Sequence, residues 1–192
     1  STPTQAPEVT ATVAPTAEAE PTAAPTATPE PTATPAPTAT PKPTPAPVIV
    51  QAPTYDFHDL AYQGSYGTVY EVKDDGSIEL QFEGQYQEIK LTLPEEIDMT
   101  HCHQVTLKAQ SAFAPLSFKI YDASGTQIFV EYNCKSDTVT EFVLSPDITE
   151  KAAGIGLMAL DVVDDFSQYK VTVYNVTFHM DDGYGVERIV EE

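Results

Sequence analysis

The stretch Gly76-Ser-Ile-Glu-Leu-Gln-Phe-Glu-Gly-Gln-Tyr-Gln-Glu-Ile-Lys-Leu-Thr-Leu-Pro94 decides the fold. Ile78, Leu80 and Phe82 alternate with Glu79, Gln81 and Glu83, and Ile89, Leu91 and Leu93 alternate with Glu88, Lys90 and Thr92. A period of two means strands with one buried face. Outward from this stretch the pattern repeats in QVTLKAQ (Val105, Leu107, Ala109), PLSFKIYD (Leu116, Phe118, Ile120), TQIFVEY (Ile128, Val130, Tyr132), TVTEFVL, GIGLMALD and YKVTVYNVTFHM. KDDGS at Asp75–Gly76 and YDASGTQ at Ser124–Gly125 read as hairpin turns, Gly84 as a tighter junction, and Pro94 and Pro146 as strand ends. PDITEKAAG supplies at most one helical turn. Nine or ten short strands at regular spacing predict an all-β fold. The expected form is an antiparallel two-sheet β-sandwich, with a jelly roll as the first choice of topology.

The first 53 residues are a different material. They hold 14 of the 17 prolines, no glycine and no aromatic residue. Without large apolar side chains such a chain does not repay its ordering entropy, and its prolines block ladder hydrogen bonds. Residues 1–53 therefore read as a disordered, extended Pro/Thr/Ala-rich linker. Residues 54–183 carry the sandwich, and 184–192 are assigned to the start of a linker to a downstream domain only on the family resemblance that follows. The whole chain has a net charge of −20; the four Glu and one Lys of the linker account for −3 of it, leaving −17 on the folded part. That surface repels phosphate backbones and anionic lipid, so the expected partners include no nucleic acid and no membrane. Strongly acidic polysaccharides are disfavoured and neutral ligands are not. No apolar run reaches the roughly 20 residues a bilayer-spanning helix needs, and the expectation of export rests on the linker. Cys102 and Cys134 either pair outside the cell or stay free, and free is the preferred reading.

Several stretches resemble a β-sandwich carbohydrate-binding module of the xylan-binding kind. They are DGSIELQFEGQYQEIKLTLP with VTLKAQS, LSFKIYDASGTQI and the closing YKVTVYNVTF. The Pro/Thr run resembles the linkers of secreted bacterial polysaccharide-degrading enzymes. The resemblance implies a non-catalytic, extracellular (secreted or cell-surface) bacterial module, monomeric. It would bind a neutral β-linked plant glycan, above all xylan or xylo-oligosaccharides, and target a covalently linked catalytic domain, a xylanase, to it. The chain lacks the tryptophan that such modules place on the sugar face. The other readings are a structural or adhesive sandwich with no sugar site and, more distantly, a small hydrolase. Of the latter no nucleophile elbow or phosphate loop gives a sign.

A sugar ring needs an exposed aromatic platform flanked by polar groups. Strand parity places Phe129 outward with Glu131, Tyr121 outward with Lys119, and Tyr86 outward with Glu88 and Lys90 on another strand, assigned to the opposite sheet. Glu79 and Gln81 lie on the strand that resembles the family's binding face, and Asp161 stands where the family has a polar contact. Tyr62, Tyr66 and Tyr70 form a further cluster, read as edge packing with Tyr66 at a rim. The resemblance also implies a structural calcium near the chain ends, with Asp56, Asp181 and Asp182 as hard oxygen ligands. His101-Cys102-His103 lacks a partner pair at zinc spacing, so zinc is disfavoured.

Overall fold

The structure, a computed structural model, describes residues 46–189. The linker expectation for residues 1–45 lies outside them. Eleven strands form: β1 (Val48–Val50), β2 (Thr54–Tyr55), β3 (Ala61–Ser65), β4 (Val69–Val72), β5 (Ile78–Gln81), β6 (Glu88–Asp98), β7 (Cys102–Tyr121), β8 (Gln127–Leu144), β9 (Lys151–Ala159), β10 (Lys170–Met180) and β11 (Val186–Arg188). Two short 3-10 turns, Met99–His101 and Phe166–Gln168, interrupt them. All pairings are antiparallel.

The antiparallel sandwich expected from the alternation is the architecture found. A hydrogen-bonded path runs β3-β6-β9-β7-β10-β5-β4, with β8 beside β7 and β2 beside β10. β7 is the fold line. Its first part, Cys102–Gln110, pairs with β10, and its second part, Leu116–Tyr121, pairs with β9. β8 follows β7 through the bend. Two layers result, β3-β6-β9-β7 and β4-β5-β10-β7, closed along one side by the β7–β8 hairpin. At the opposite side the two end strands of the path meet: Tyr62 of β3 stacks on Tyr70 of β4, with ring centroids 5.3 Å apart.

The alternation has its expected cause. Ile78, Leu80, Phe82, Ile89, Leu91, Val105, Leu107, Phe118 and Ile120 are all buried between the layers. Each such side chain removed from water contributes about 1.5–3 kcal/mol. In β10 a register shift between Val173 and Asn175 changes the parity, so Val171 and Val173 and then Val176, Phe178 and Met180 all face inward. Gly76 (φ 79°) and Gly125 (φ 81°) occupy left-handed positions in the β4–β5 and β7–β8 turns, as the Asp-Gly and Ser-Gly signals require. Asp122 Oδ1 holds the second turn, accepting from the Ser124 and Thr126 backbone N–H groups at 2.9 Å each.

Four expectations are corrected. QVTLKAQ and PLSFKIYD are one strand, as are TQIFVEY and TVTEFVL, because bulges let a strand turn from one layer into the other. Pro94 lies inside β6, at a register break between Thr92 and Ile97 where no ladder bond is needed from it. PDITEKAAG forms no helical turn; its second half opens β9. The linker boundaries also move. Residues 48–50 and 186–188, assigned to the two linkers, pair with each other as a two-stranded ribbon, Val48 opposite Arg188.

Arg188 ties that ribbon to the sandwich. Its Nη2 lies 2.7 Å from Glu95 Oε1, which also accepts from the Tyr55 hydroxyl at 2.9 Å, and its guanidinium stands 4.9 Å from the Tyr55 ring centroid.

Candidate functional site: a tyrosine-lined sheet face

The outer face of the β6-β9-β7 layer carries the most distinctive chemistry. On β6 the polar partners of the buried Ile89 and Leu91 are Glu88 and Lys90. On β7 the partners of Phe118 and Ile120 are Lys119 and Tyr121. Between these two strands runs β9, where Gly156 pairs with both Lys90 and Lys119. Having no side chain, Gly156 lets groups from either side meet above it. A Cβ there would collide with the Glu88 carboxylate and lie 2.8 Å from the Tyr121 ring.

The groups that meet are Glu88, Tyr121 and Lys119. The Tyr121 hydroxyl donates to Glu88 Oε1 at 2.5 Å, and Lys119 Nζ stands 3.5 Å from Glu88 Oε2. Glu88 is only 6% exposed, a burial that a carboxylate tolerates when paired and hydrogen-bonded. Burial, and then the bond to Glu88, push the Tyr121 phenol well above its ordinary pKa, so it remains a donor. Lys90 covers the Tyr121 ring, its ammonium 4.2 Å from the centroid and 5.8 Å from that of Tyr66. Tyr66 is held across from Glu88 by a backbone bond from its N–H to the Glu88 carbonyl, and its ring is 63% exposed. Tyr86 ends the turn before β6 in a left-handed conformation (φ 64°), its N–H bonded to the Ala159 carbonyl, its ring 62% exposed. Past Tyr121 the face opens into a hollow of about 290 Å³ bordered by Gln63, Thr92, Glu95, Asp122 and Gly154.

The structure distributes the sequence-chosen residues as follows. Tyr121, Lys119 and Tyr86 belong to this layer, and Glu88 and Lys90 lie on it with them rather than on a separate sheet. Tyr121, expected as an exposed platform, is 6% exposed, because it lies down over Gly156 and under Lys90. Phe129, also expected outward, sits opposite Ile120 and packs half-buried against the core. The physical reason is a register break: Ile120 pairs with Phe129 but Tyr121 with Gln127, so simple alternation fails there. Glu131 is half-buried opposite Phe118 and accepts from the Asn133 N–H at 3.0 Å. Tyr132, expected inside, is exposed on the edge strand β8.

Glu79 and Gln81 lie on the other layer. They border a larger hollow, about 730 Å³, with Glu71, Lys170 and Thr172. Its acidic and amide groups are already engaged, while the Lys170 and Thr172 side chains are not among the described residues. Glu79 and Glu71 both pair with Lys73, at 2.8 and 2.6 Å, and Gln81 donates to the carbonyls of Phe82 and Phe166. Its ring, Tyr70, is stacked on Tyr62. Size alone favours this hollow; free rings and convergent polar groups favour the Tyr66–Tyr121 face, which is the better platform. Asp161 is exposed in the bend after β9, where its charge adds to burial in holding the Tyr169 phenol protonated.

The carboxylates expected to hold calcium are not gathered. Asp56 turns back to accept from the His58 N–H at 2.8 Å, Asp181 faces His103 at 3.2 Å and His101 at 3.9 Å, and Asp182 is exposed. Among the described residues no three His, Cys, Asp or Glu converge as a metal set. His101 instead stacks on Tyr184, with centroids 3.4 Å apart. Cys102 and Cys134 are both buried and free. No described helix is long and apolar enough to cross a membrane.

What the sequence reading underweighted was Tyr66, Lys90 and Glu88. The available signal was GIGLMALD: two glycines spaced by one on a buried-layer strand leave a bare strip that neighbouring side chains fill.

No protein-family model matches the chain, and no curated protein does. Solved structures do. A low-affinity xylan-binding module, CBM86, from the xylanolytic gut symbiont Roseburia intestinalis superposes with a TM-score of 0.59 and 25% identity, covering 69% of this chain and 97% of that one. This chain shares the fold of carbohydrate-binding modules. A family 29 module, CBM29-2, solved as a variant with cellulohexaose, matches with a TM-score of 0.48 and 10% identity over 67% of this chain and 92% of its own.

Proposed function

We propose that residues 48–188 form a non-catalytic carbohydrate-binding module that takes xylan on the Tyr66–Tyr121 face and keeps an attached xylan-degrading glycoside hydrolase at its substrate. The observation that carries the reading is the 25% identity and 0.59 TM-score across 97% of a xylan-binding module. The geometry supports it. The exposed Tyr66 and Tyr86 offer flat rings to the C–H faces of sugars. Lys90 offers a donor to ring hydroxyls. The Glu88–Tyr121–Lys119 contacts fix the Tyr121 ring beneath it before a ligand arrives, which limits the ordering cost of binding. Two open rings and a shallow face make for modest affinity, and tethering raises the local concentration of substrate instead. The module acts as a monomer, outside the cell, and the Pro/Thr-rich segment supports that setting.

Affinity electrophoresis in gels containing xylan, glucomannan or mixed-linkage glucan tests the reading. Retardation by xylan, weakened about three- to tenfold in Tyr66→Ala or Tyr86→Ala with unchanged circular dichroism, is expected, the size of one lost stacking contact. Unchanged mobility in every glycan returns the domain to the structural or adhesive class. Release of reducing sugar from xylan by the isolated chain makes it a hydrolase.

A further inference from the structure

We infer that the face prefers xylan bearing uronic acid side groups, with Lys90 receiving the carboxylate; this rests on the reading of the face as the xylan site. The two lysines of the face differ in status. Lys119 is largely buried and stands 3.5 Å from the Glu88 carboxylate, so its charge is neutralised in place. Lys90 is on the same strand face as Glu88 but has no carboxylate within 4.0 Å among the described residues. Aromatic rings surround it instead, Tyr121 beneath and Tyr66 beside it. Ring quadrupoles hold an ammonium in position without cancelling its charge. Glu88, Lys90 and Lys119 together leave one uncompensated positive charge.

That charge stands on a folded region whose net charge is −17. A sugar resting on the exposed Tyr66 ring lies beside the ammonium, and so does any group hanging from that sugar or its neighbour. A hydroxyl accepts a bond from the Lys90 ammonium in which only the donor is charged; a carboxylate accepts the same bond and adds the attraction of opposite charges. The surrounding negative charge sets an upper limit on the ligand. Sparse carboxylates on a neutral backbone meet Lys90 and little else, whereas a polyuronide with an acid on every residue also meets Asp122 and the negative field of the folded region.

The test compares three polymers by isothermal titration at low ionic strength: glucuronoxylan, the same glucuronoxylan with its carboxyls reduced to primary alcohols, and polygalacturonate. The wild type is measured beside Lys90→Met, Lys90→Arg and Lys135→Met, the last removing an exposed charge on β8. The expected result is a preference of about three- to fivefold for the acidic over the reduced xylan, the size of one partly exposed ion pair, fading as salt rises. Lys90→Met loses that preference while still binding the reduced polymer, Lys90→Arg keeps it, and Lys135→Met leaves it unchanged. Equal wild-type affinity for the two xylans overturns the inference, as does a preference that survives in Lys90→Met, or polygalacturonate bound as tightly as glucuronoxylan. In each of those cases binding to the reduced xylan keeps the xylan reading intact. Failure of the wild type to bind either xylan sinks that reading and this inference with it.

Discussion

Gly156 shows how one residue without a side chain shapes a surface built by others. Glu88 and Tyr121 meet above it from strands on either side, and a methyl group there has nowhere to go. Both are pinned, Glu88 by Tyr121 and Lys119, Tyr121 by the core below. Gly156→Ala is therefore expected to cost about 1–3 kcal/mol, the range for overpacking a filled site, and, on the proposed function, to weaken xylan retardation along with it; denaturant titration with affinity gels reads both. The thiols make a second residue-level case. Burial pushes Cys102 up to about 11 and Cys134 up to about 12, so neither forms the reactive thiolate at pH 8. A thiol reagent should find no fast-reacting cysteine in the native protein and two after denaturation. Legibility at this scale was mixed. Parity put Lys119 and Tyr121 on the correct layer face, since their neighbours Phe118 and Ile120 are inside. Parity could not tell that Tyr121 lies flat, because its cover, Lys90, comes from a strand two positions away in the sheet. It misplaced Phe129 because the register slips by one between Ile120 and Tyr121.

At the level of elements, turns were the readable part. Asp75-Gly76 and Asp122 with Gly125 fix their hairpins through local bonds that depend on nothing distant. The long bent strands were not readable, since a bulge followed by renewed alternation looks like two strands with a break. The terminal ribbon was missed for another reason. Val48–Val50 and Val186–Arg188 are three residues each, one following the proline run and the other following Gly183 and Gly185, and neither suffices as a strand until paired with the other. Arg188 shows that the pairing matters. It holds Glu95 with two nitrogens, while Tyr55 binds the same oxygen. Arg188→Ala should destabilise the domain by about 1–3 kcal/mol, because Glu95 then keeps only the neutral tyrosine as partner. Glu95→Gln should recover part of this loss in the double variant. Additive losses in thermal melts of the single and double variants would rule the clasp out.

For the molecule as a whole, the titrating groups set a stability window. Tyr55, Tyr121 and Tyr169 all have phenols raised above their ordinary value, each first by burial. The folded state thus favours the neutral phenol. Its contribution is complete below about pH 10, where unfolded tyrosines are protonated too, and is lost as pH climbs beyond it. At the other end Asp75, Asp122 and Asp165 are lowered, each first by a bond from a serine hydroxyl within its own turn. Their contribution is present above about pH 4 and disappears as pH falls through their folded values. Melting temperature should be flat between pH 5 and 9 and fall on both flanks; a profile still rising at pH 11 would contradict the tyrosine assignment. The sandwich class was legible because alternation persists through eight stretches, whereas the shared face was not, being assembled from β3, β6, β7 and β9. The ribbon joining the domain's two ends also has a mechanical consequence. Because Val48 is opposite Arg188, opposed pulls on the flanking chain enter the ribbon at the same end. Tension then peels the pairs one at a time rather than shearing them together, and the Arg188–Glu95 clasp is the first link loaded. Six residues coming free yield about 20 Å of slack before any force reaches the sheets, so a load of the kind the proposed tethering implies would stretch this clasp while the Tyr66–Tyr121 face keeps its shape.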